Sequence, residues 1–293
     1  MNEVSVNAIN IRKINFSGSF EVSDMIAVEE PLEIQLEYSS STGRLKKSIA
    51  VTMRTPGDVA NLAAGFLFTE GIISSENQIN SIYHSIGDSN IIVVRLHENI
   101  VPVLKYSTRN FYTTSSCGVC GKASIEAVKM NANFENTRDS LQIPPGILNQ
   151  LPAALHQKQK MFQSTGGLHA SALFNLDGEF ICLKEDVGRH NALDKLIGQA
   201  LMNHQLPLNN HILLLSGRAS FELIQKSAMA GIRIVAAVGA PSSLAVQLAN
   251  EAGITLAGFL NNNRFNLYSG FNRIKRISLY RRMNYRIRPQ TEH

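Results

Sequence analysis

The feature that most constrains the fold is the alternation between residues 211 and 260. Short apolar runs at 211–215, 232–238 and 255–260 have strand character, and amphipathic runs at 221–230 and 243–252 have helix spacing. A strand can reach a parallel neighbour only through a long crossover, so strand–helix–strand–helix–strand predicts βαβ units and a parallel sheet. That topology gathers the turn after each strand on one edge of the sheet. The first turn is Ser216-Gly217-Arg218-Ala219-Ser220. Its backbone N–H groups at a helix start, a glycine permitting close approach and the Arg218 charge suit an anion. It lacks the G-x-x-x-x-G-K-[ST] pattern of a Walker A loop. Gly239-Ala240-Pro241-Ser242-Ser243 repeats the placement one unit later. Adjacent loops at the carboxyl ends of parallel strands form a cleft where nucleotides commonly bind. Asn261-Asn262-Asn263-Arg264-Phe265-Asn266 follows the next strand on the same edge; it reads equally as a base- or phosphate-binding loop and as a polar turn.

Upstream, residues 1–110 form a strand-rich region with one helix. Residues 9–16, 34–38 and 48–53 are short, part-alternating strands, with a hairpin turn at 40–43. Thr55 as N-cap, Pro56 at the first helical position and Asp58 in the first turn open a helix over the apolar run 59–68, which Gly71 stops. Residues 91–96 and 101–105 return to strand character. A second region, 111–145, holds a Ser/Thr-rich loop with a cysteine pair, a helix at 122–130 and an exposed connection. The third, 146–270, opens with an amphipathic helix at 148–162 closed by Gly166-Gly167. Strands at 169–174 and 179–184 then flank a hairpin turn at 175–178. Residues 271–293 form a basic tail.

Between the second of those strands and a helix at 192–200 lies Glu185-Asp186-Val187-Gly188-Arg189-His190-Asn191-Ala192. Arg189 can fork onto a phosphate and His190 can bind or move a proton. A capped helix start with a solvated salt bridge is the plainer alternative; the density of polar side chains favours a ligand site.

Cys117-Gly118-Val119-Cys120 precedes the helix signal at 122–130. A helix N-terminus and Lys122 both favour a thiolate. Gly118 and Gly121 permit a tight loop, and Thr114, Ser115 and Ser116 can donate hydrogen bonds to a thiolate or persulfide. Three chemistries fit: dithiol–disulfide exchange, half of a zinc site, or a persulfide carrier. Zinc is discounted. Nucleobase deaminases combine H-x-E with P-C-x-x-C, but here no proline precedes Cys117, and His169 is followed by Ala-Ser rather than a glutamate. The third cysteine, Cys182, sits in the apolar stretch Phe180-Ile181-Cys182-Leu183 and reads as a packed small hydrophobe.

Composition narrows the setting. Three cysteines cannot all pair within one chain, and no export signal or membrane-length apolar window stands out, so a reduced, cytoplasmic protein is expected. Residues 271–293 carry seven Lys or Arg against Glu292 alone, while the first 270 residues are close to neutral. The basic balance therefore belongs to the tail, which weakens the case for nucleic acid as a partner.

Together these segments resemble the formate dehydrogenase accessory sulfurtransferase family, FdhD. The likeness runs through Thr52-Met53-Arg54-Thr55-Pro56-Gly57-Asp58, Gly65-Phe66-Leu67-Phe68-Thr69-Glu70-Gly71 and Ser115-Ser116-Cys117-Gly118-Val119-Cys120-Gly121-Lys122. It continues in Thr165-Gly166-Gly167-Leu168-His169, Glu185 through Lys195, Ser216 through Ser220 and Val238 through Ser243. The resemblance implies a homodimeric α/β protein with a three-layer core similar to cytidine deaminase, without zinc. It implies a sulfurtransferase that takes sulfur from a cysteine desulfurase as a persulfide. The acceptor would be the molybdenum (or tungsten) bis-molybdopterin guanine dinucleotide cofactor of formate dehydrogenase. By the same likeness Cys117 bears the persulfide, Cys120 is its partner, and Phe259, Leu260, Asn261, Asn262, Asn263 and Arg264 form the cofactor loop. Arg189, His190, Ser216, Gly217 and Arg218 are expected at the same ligand. Two departures stand out: Arg233 occupies a position where proline is expected, and the basic tail is longer than the pattern requires. A cofactor-binding chaperone and a CxxC thiol oxidoreductase remain as alternative readings.

Overall fold

The computed structural model describes residues 4–41, 43–104 and 140–276. In chain order the first part holds β1 (Val6–Asn15), β2 (Gly18–Ala27), β3 (Glu30–Ser40), β4 (Gly43–Arg54), α1 (Val59–Thr69), β5 (Ile79–Ser85) and β6 (Asp88–Leu96). The second part opens with α2 (Pro145–Lys158), α3 (Lys160–Thr165), β7 (His169–Asn175), β8 (Phe180–Asp186) and α4 (Arg189–Met202). There follow β9 (His211–Leu215), α5 (Phe221–Met229), β10 (Ile234–Ala237), α6 (Ser243–Glu251), β11 (Thr255–Gly258) and β12 (Asn266–Ser269).

The alternation at the carboxyl end builds the parallel unit it predicts. β9, β10 and β11 are parallel, with Ile212, Ile234 and Thr255 in register. They sit inside a six-stranded sheet of order β12-β11-β10-β9-β7-β8, whose outer pairings are antiparallel. Their apolar runs are nearly continuous because both faces are covered, as parallel strands require. Ile212, Leu214, Ile234 and Ala236 face Leu148, Leu151 and Leu155 of α2. Leu213, Leu215, Val235 and Leu256 face the opposite core, with Leu193, Leu196 and Ile197 of α4 and Leu223 and Ile224 of α5. Helix, sheet and helix make three layers, in keeping with the expected α/β class.

The second face does not end at the helices. Leu32, Ile34 and Leu36 of β3 and Ile92, Val94 and Leu96 of β6 belong to the same buried cluster as α4. These strands lie in a four-stranded sheet of order β4-β3-β6-β5, in which β3 and β6 are parallel. Each such side chain is worth about 1.5–3 kcal/mol when fully buried. Contact between the halves is closest where α1 crosses α4. A Cβ on Gly65 would lie 2.0 Å from the Asp194 carbonyl oxygen, and one on Gly198 would lie 1.9 Å from that of Asn61. The two backbones touch through reciprocal glycines, and no side chain fits between them.

Several boundaries differ from expectation. α1 begins at Val59 behind Asp58, whose φ is 55°, and not behind Thr55. Thr55 is fully buried and spends its polar groups on a distant segment described below. Residues 101–104 form no strand, and the expected helix at 148–162 is two helices broken at Gln159. The final helix of the dense polar segment starts at Arg189, while Glu185 and Asp186 end β8. Strands β2, β5 and β12 were not anticipated.

Candidate functional site

The three loops at the carboxyl ends of β9, β10 and β11 are laced together by their backbones. Gly239 N–H donates to Gly217 O at 2.9 Å, Phe259 N–H to Gly239 O at 3.1 Å, and Ser242 N–H to Ala219 O at 3.0 Å. Ser220 and Ser242 cap α5 and α6, accepting from Leu223 N and Ala245 N at 3.4 Å and 3.2 Å. Serine is favoured there because its oxygen satisfies a helix N–H that has no partner in the helix. Ser216 accepts from Ala170 N–H at 2.8 Å, which ties the first loop to β7. Gly217 leaves room for the His169 ring, which a Cβ would meet at 3.3 Å, and Gly239 lies under the Arg218 stem, with Cγ at 3.0 Å.

The residues expected at the ligand separate into supports and surfaces. Leu260 is buried and its N–H donates to Ala237 O at 3.0 Å. The Asn261 side chain accepts from the N–H groups of Asn263 and Arg264 at 2.9 Å and 3.1 Å, closing the turn. The Asn261 carbonyl accepts from Asn149 of α2 at 2.8 Å. Asn262, Asn263, Arg218 and Arg264 are exposed. Neither Arg218 nor Arg264 has an ion-pair partner among the described residues. Phe259 is 46% exposed and holds φ at 53°, a left-handed backbone that a bulky residue rarely adopts. Val238 and Leu244, exposed on the same edge, add apolar surface.

Behind the first loop lies a second polar group. His190 Nε2 is 2.9 Å from Glu222 Oε2 and 3.3 Å from Ser220 Oγ. Arg189 is half-buried, and its Nε has no partner among the described residues. Burial lowers the pKa of His169, and the neighbouring Arg189 and His190 lower it further. Glu222 was missed in the sequence reading. Its one signal was an acidic residue in the first turn of a helix that follows an anion-type loop.

The remainder of the dense segment points inward. Asp186 and Lys195 are 0% and 2% exposed and pair at 2.7 Å. Asp186 accepts from the N–H groups of Thr55 and Gly188 at 3.2 Å and 2.8 Å, and Lys195 donates to Thr55 O at 2.8 Å. Asn191 donates to Met53 O at 2.7 Å and accepts from Thr52 Oγ1 at 3.2 Å. A second buried pair lies alongside: Lys226 donates to both Asp194 oxygens at 3.0 Å and 2.9 Å and to Thr69 at 2.8 Å. Burial disfavours the Lys226 ammonium, but Asp194 and Glu70 outweigh it and hold its pKa above the usual value.

Cys117 and Cys120 lie outside the described residues. Cys182 is partly buried, and burial pushes its thiol up, as for a packed hydrophobe. Among the described residues no group of three or more His, Cys, Asp or Glu could hold a metal ion, and no helix is long and apolar enough to cross a membrane.

The fold is a three-layer α/β architecture whose carboxyl-edge loops expose Arg218, Arg264 and Phe259, with neither arginine in an ion pair among the described residues. The sequence model of the FdhD/NarQ family matches residues 27–275, and the chain belongs to that family. It is 47% identical over 260 residues to the sulfur carrier protein FdhD of Streptomyces coelicolor, covering 86% of this chain and 89% of that one. The sulfur carrier protein FdhD of Mycolicibacterium paratuberculosis is 49% identical, with 86% and 92% covered. That of Sulfurisphaera tokodaii is 40% identical, with 92% and 100% covered. The fold matches the crystal structure of a formate dehydrogenase accessory protein from Desulfotalea psychrophila, with a TM-score of 0.71 at 24% identity, over 93% of this chain and all of that one.

Proposed function

We propose that this chain is a cytoplasmic, homodimeric sulfurtransferase of formate dehydrogenase maturation. In this reading the Cys117 thiolate attacks the terminal sulfur of a cysteine desulfurase persulfide. One S–S bond forms as another breaks, leaving Cys117–S–SH and the desulfurase thiolate. Cys120 supplies a second thiol that stabilises this species or releases its sulfur by forming a disulfide. The acceptor is the molybdenum bis-molybdopterin guanine dinucleotide cofactor, bound as substrate. The observation that carries the acceptor site is the pair of exposed guanidinium groups, Arg218 and Arg264, without ion-pair partners among the described residues, on the same edge as the exposed Phe259. Guanidinium forks match phosphate geometry, and an exposed aromatic face suits a planar ring. Asn262 and Asn263 offer free amides to a base edge. His190, oriented by Glu222, lies behind the phosphate end with Arg189.

Incubation with a cysteine desulfurase and cysteine should add one sulfur mass to the protein, and Cys117→Ala should abolish the gain. An undiminished gain in a Cys117→Ala/Cys120→Ala double variant would sink the carrier reading. Formate dehydrogenase activity preserved in cells carrying that double variant would favour a cofactor chaperone.

A further inference from the structure

We propose that the β1–β2 ribbon is the surface through which two copies of this chain pair, face to face about a two-fold axis through its Ile11–Val22 rung. This rests on the homodimer reading above and names where that dimer is held. Residues directly opposite in an antiparallel pair share a face. The register therefore places Asn7 with Ile26, Ile9 with Asp24, Ile11 with Val22 and Lys13 with Phe20 on one side of the ribbon. Ile9, Phe20, Val22 and Ile26 on that side are 38–48% exposed. The other side is polar at its middle, Asn10 with Ser23 and Arg12 with Glu21, the latter an ion pair at 3.4 Å, and carries the exposed Met25 and Ile14 as single apolar residues toward its two ends.

The described contacts of the ribbon with the body gather at its base. Val28 N–H donates to Ser5 O at 3.0 Å, Ser5 Oγ donates to Pro56 O at 2.9 Å, and Ala27 lies against Gly167. A two-stranded ribbon is marginal in water by itself, and an exposed apolar stripe calls for a cover. The family sequence model begins at residue 27, after the stripe.

Charge placement selects a second copy as that cover. The central rung is apolar on both strands. Each flanking rung pairs one apolar residue with one charge, and the charges are opposite: Asp24 toward the base, Lys13 toward the tip. Rungs on one face are about 6.8 Å apart. A two-fold axis perpendicular to the strands at the central rung lays the Ile9–Asp24 rung over the Lys13–Phe20 rung of the second copy. Asp24 then falls diagonally across from Lys13 of the other chain, twice per dimer, while Ile9, Ile11, Phe20 and Val22 close the apolar centre. Opposite charges equidistant from an apolar centre make the patch complementary to itself, as a two-fold interface requires.

The test is sedimentation of the full chain across a concentration series, for wild type, Lys13→Asp, Asp24→Lys and the double swap. Both sites are exposed, and circular dichroism melts check that the fold is kept. Wild type should dimerise. Each single reversal sets like charges opposite one another twice and should weaken the dimer by about ten-fold or more, and the double swap should restore it to within about three-fold. Val22→Asp at the centre should give monomers. A wild-type dimer indifferent to the single reversals, or a double swap no better than either single, overturns the ribbon interface and leaves the dimer reading standing. A wild-type monomer overturns both.

Discussion

Two polar segments both drew a ligand-site reading from the chain, and the fold places their side chains in opposite ways. Residues 185–195 turn most of their charge inward. Asp186, Asn191, Asp194 and Lys195 are all buried and bonded to Met53, Thr55 and Thr69 or to one another. They brace the α/β core against the strand-rich half. The loops at 216–218 and 259–264 instead leave Arg218, Arg264 and Phe259 exposed, while Ser216, Leu260 and Asn261 hold them in place. Density of polar residues marks an important place but not its task. Burial and the count of satisfied partners separate a brace from an exposed edge.

The contrast can be broken most severely at the brace. Lys195→Ala leaves the Asp186 carboxylate buried without its cation, and urea unfolding should show a loss of about 3–5 kcal/mol. Replacing both partners, as Asp186→Asn with Lys195→Met, should recover much of that loss, because no unpaired charge remains. Equal losses in the single and double variants would mean that the pair is not the brace. Gly65→Ala comes next. Its Cβ collides with the α4 backbone, and overpacking should cost about 2–3 kcal/mol in the same assay, with no direct effect on the edge loops.

The proposed ligand edge should behave in the reverse manner. Arg218→Ala and Arg264→Ala should change stability by less than about 0.5 kcal/mol. Each should weaken binding of a guanine dinucleotide about ten-fold by calorimetry, the scale of one charge-assisted hydrogen bond. A large drop in melting temperature in either variant would move that arginine to the brace class.

The smallest effect concerns pH. His169 has a depressed folded pKa, so the unfolded chain binds its proton more readily as pH falls below the ordinary value of 6.5. Stability should therefore decline as pH drops from about 7 toward 5, and His169→Gln should flatten that slope in unfolding curves taken across the range. An unchanged slope would place the acid sensitivity elsewhere, with the half-buried His211 the next candidate.

Much of this architecture was legible in the chain. The βαβ rhythm at 211–260 and the hairpin between β7 and β8 depend on neighbouring residues, and periodicity and turn chemistry report neighbours. The edge loops were legible for the same reason, since parallel strands oblige them to share an edge. The start of α1 was misread because Thr55-Pro56 makes a good local cap signal. Tertiary structure spends Thr55 on Asp186, Val187 and Lys195, 131 or more positions away. Glu222, the partner of His190, and Thr69, the partner of Asp194, were illegible for a like reason: each meets its mate only after helices pack.

What the sequence determined by itself is therefore the short-range part: the parallel sheet, the loops on its carboxyl edge and a run of motifs shared with one family. What the tertiary structure alone decided is the division of labour among polar residues. A charged side chain has the same local signature whether it ends in water or in a core. Only long-range packing, which sets burial and supplies a distant partner, made Asp186 and Lys195 into a brace and left Arg218 and Arg264 exposed.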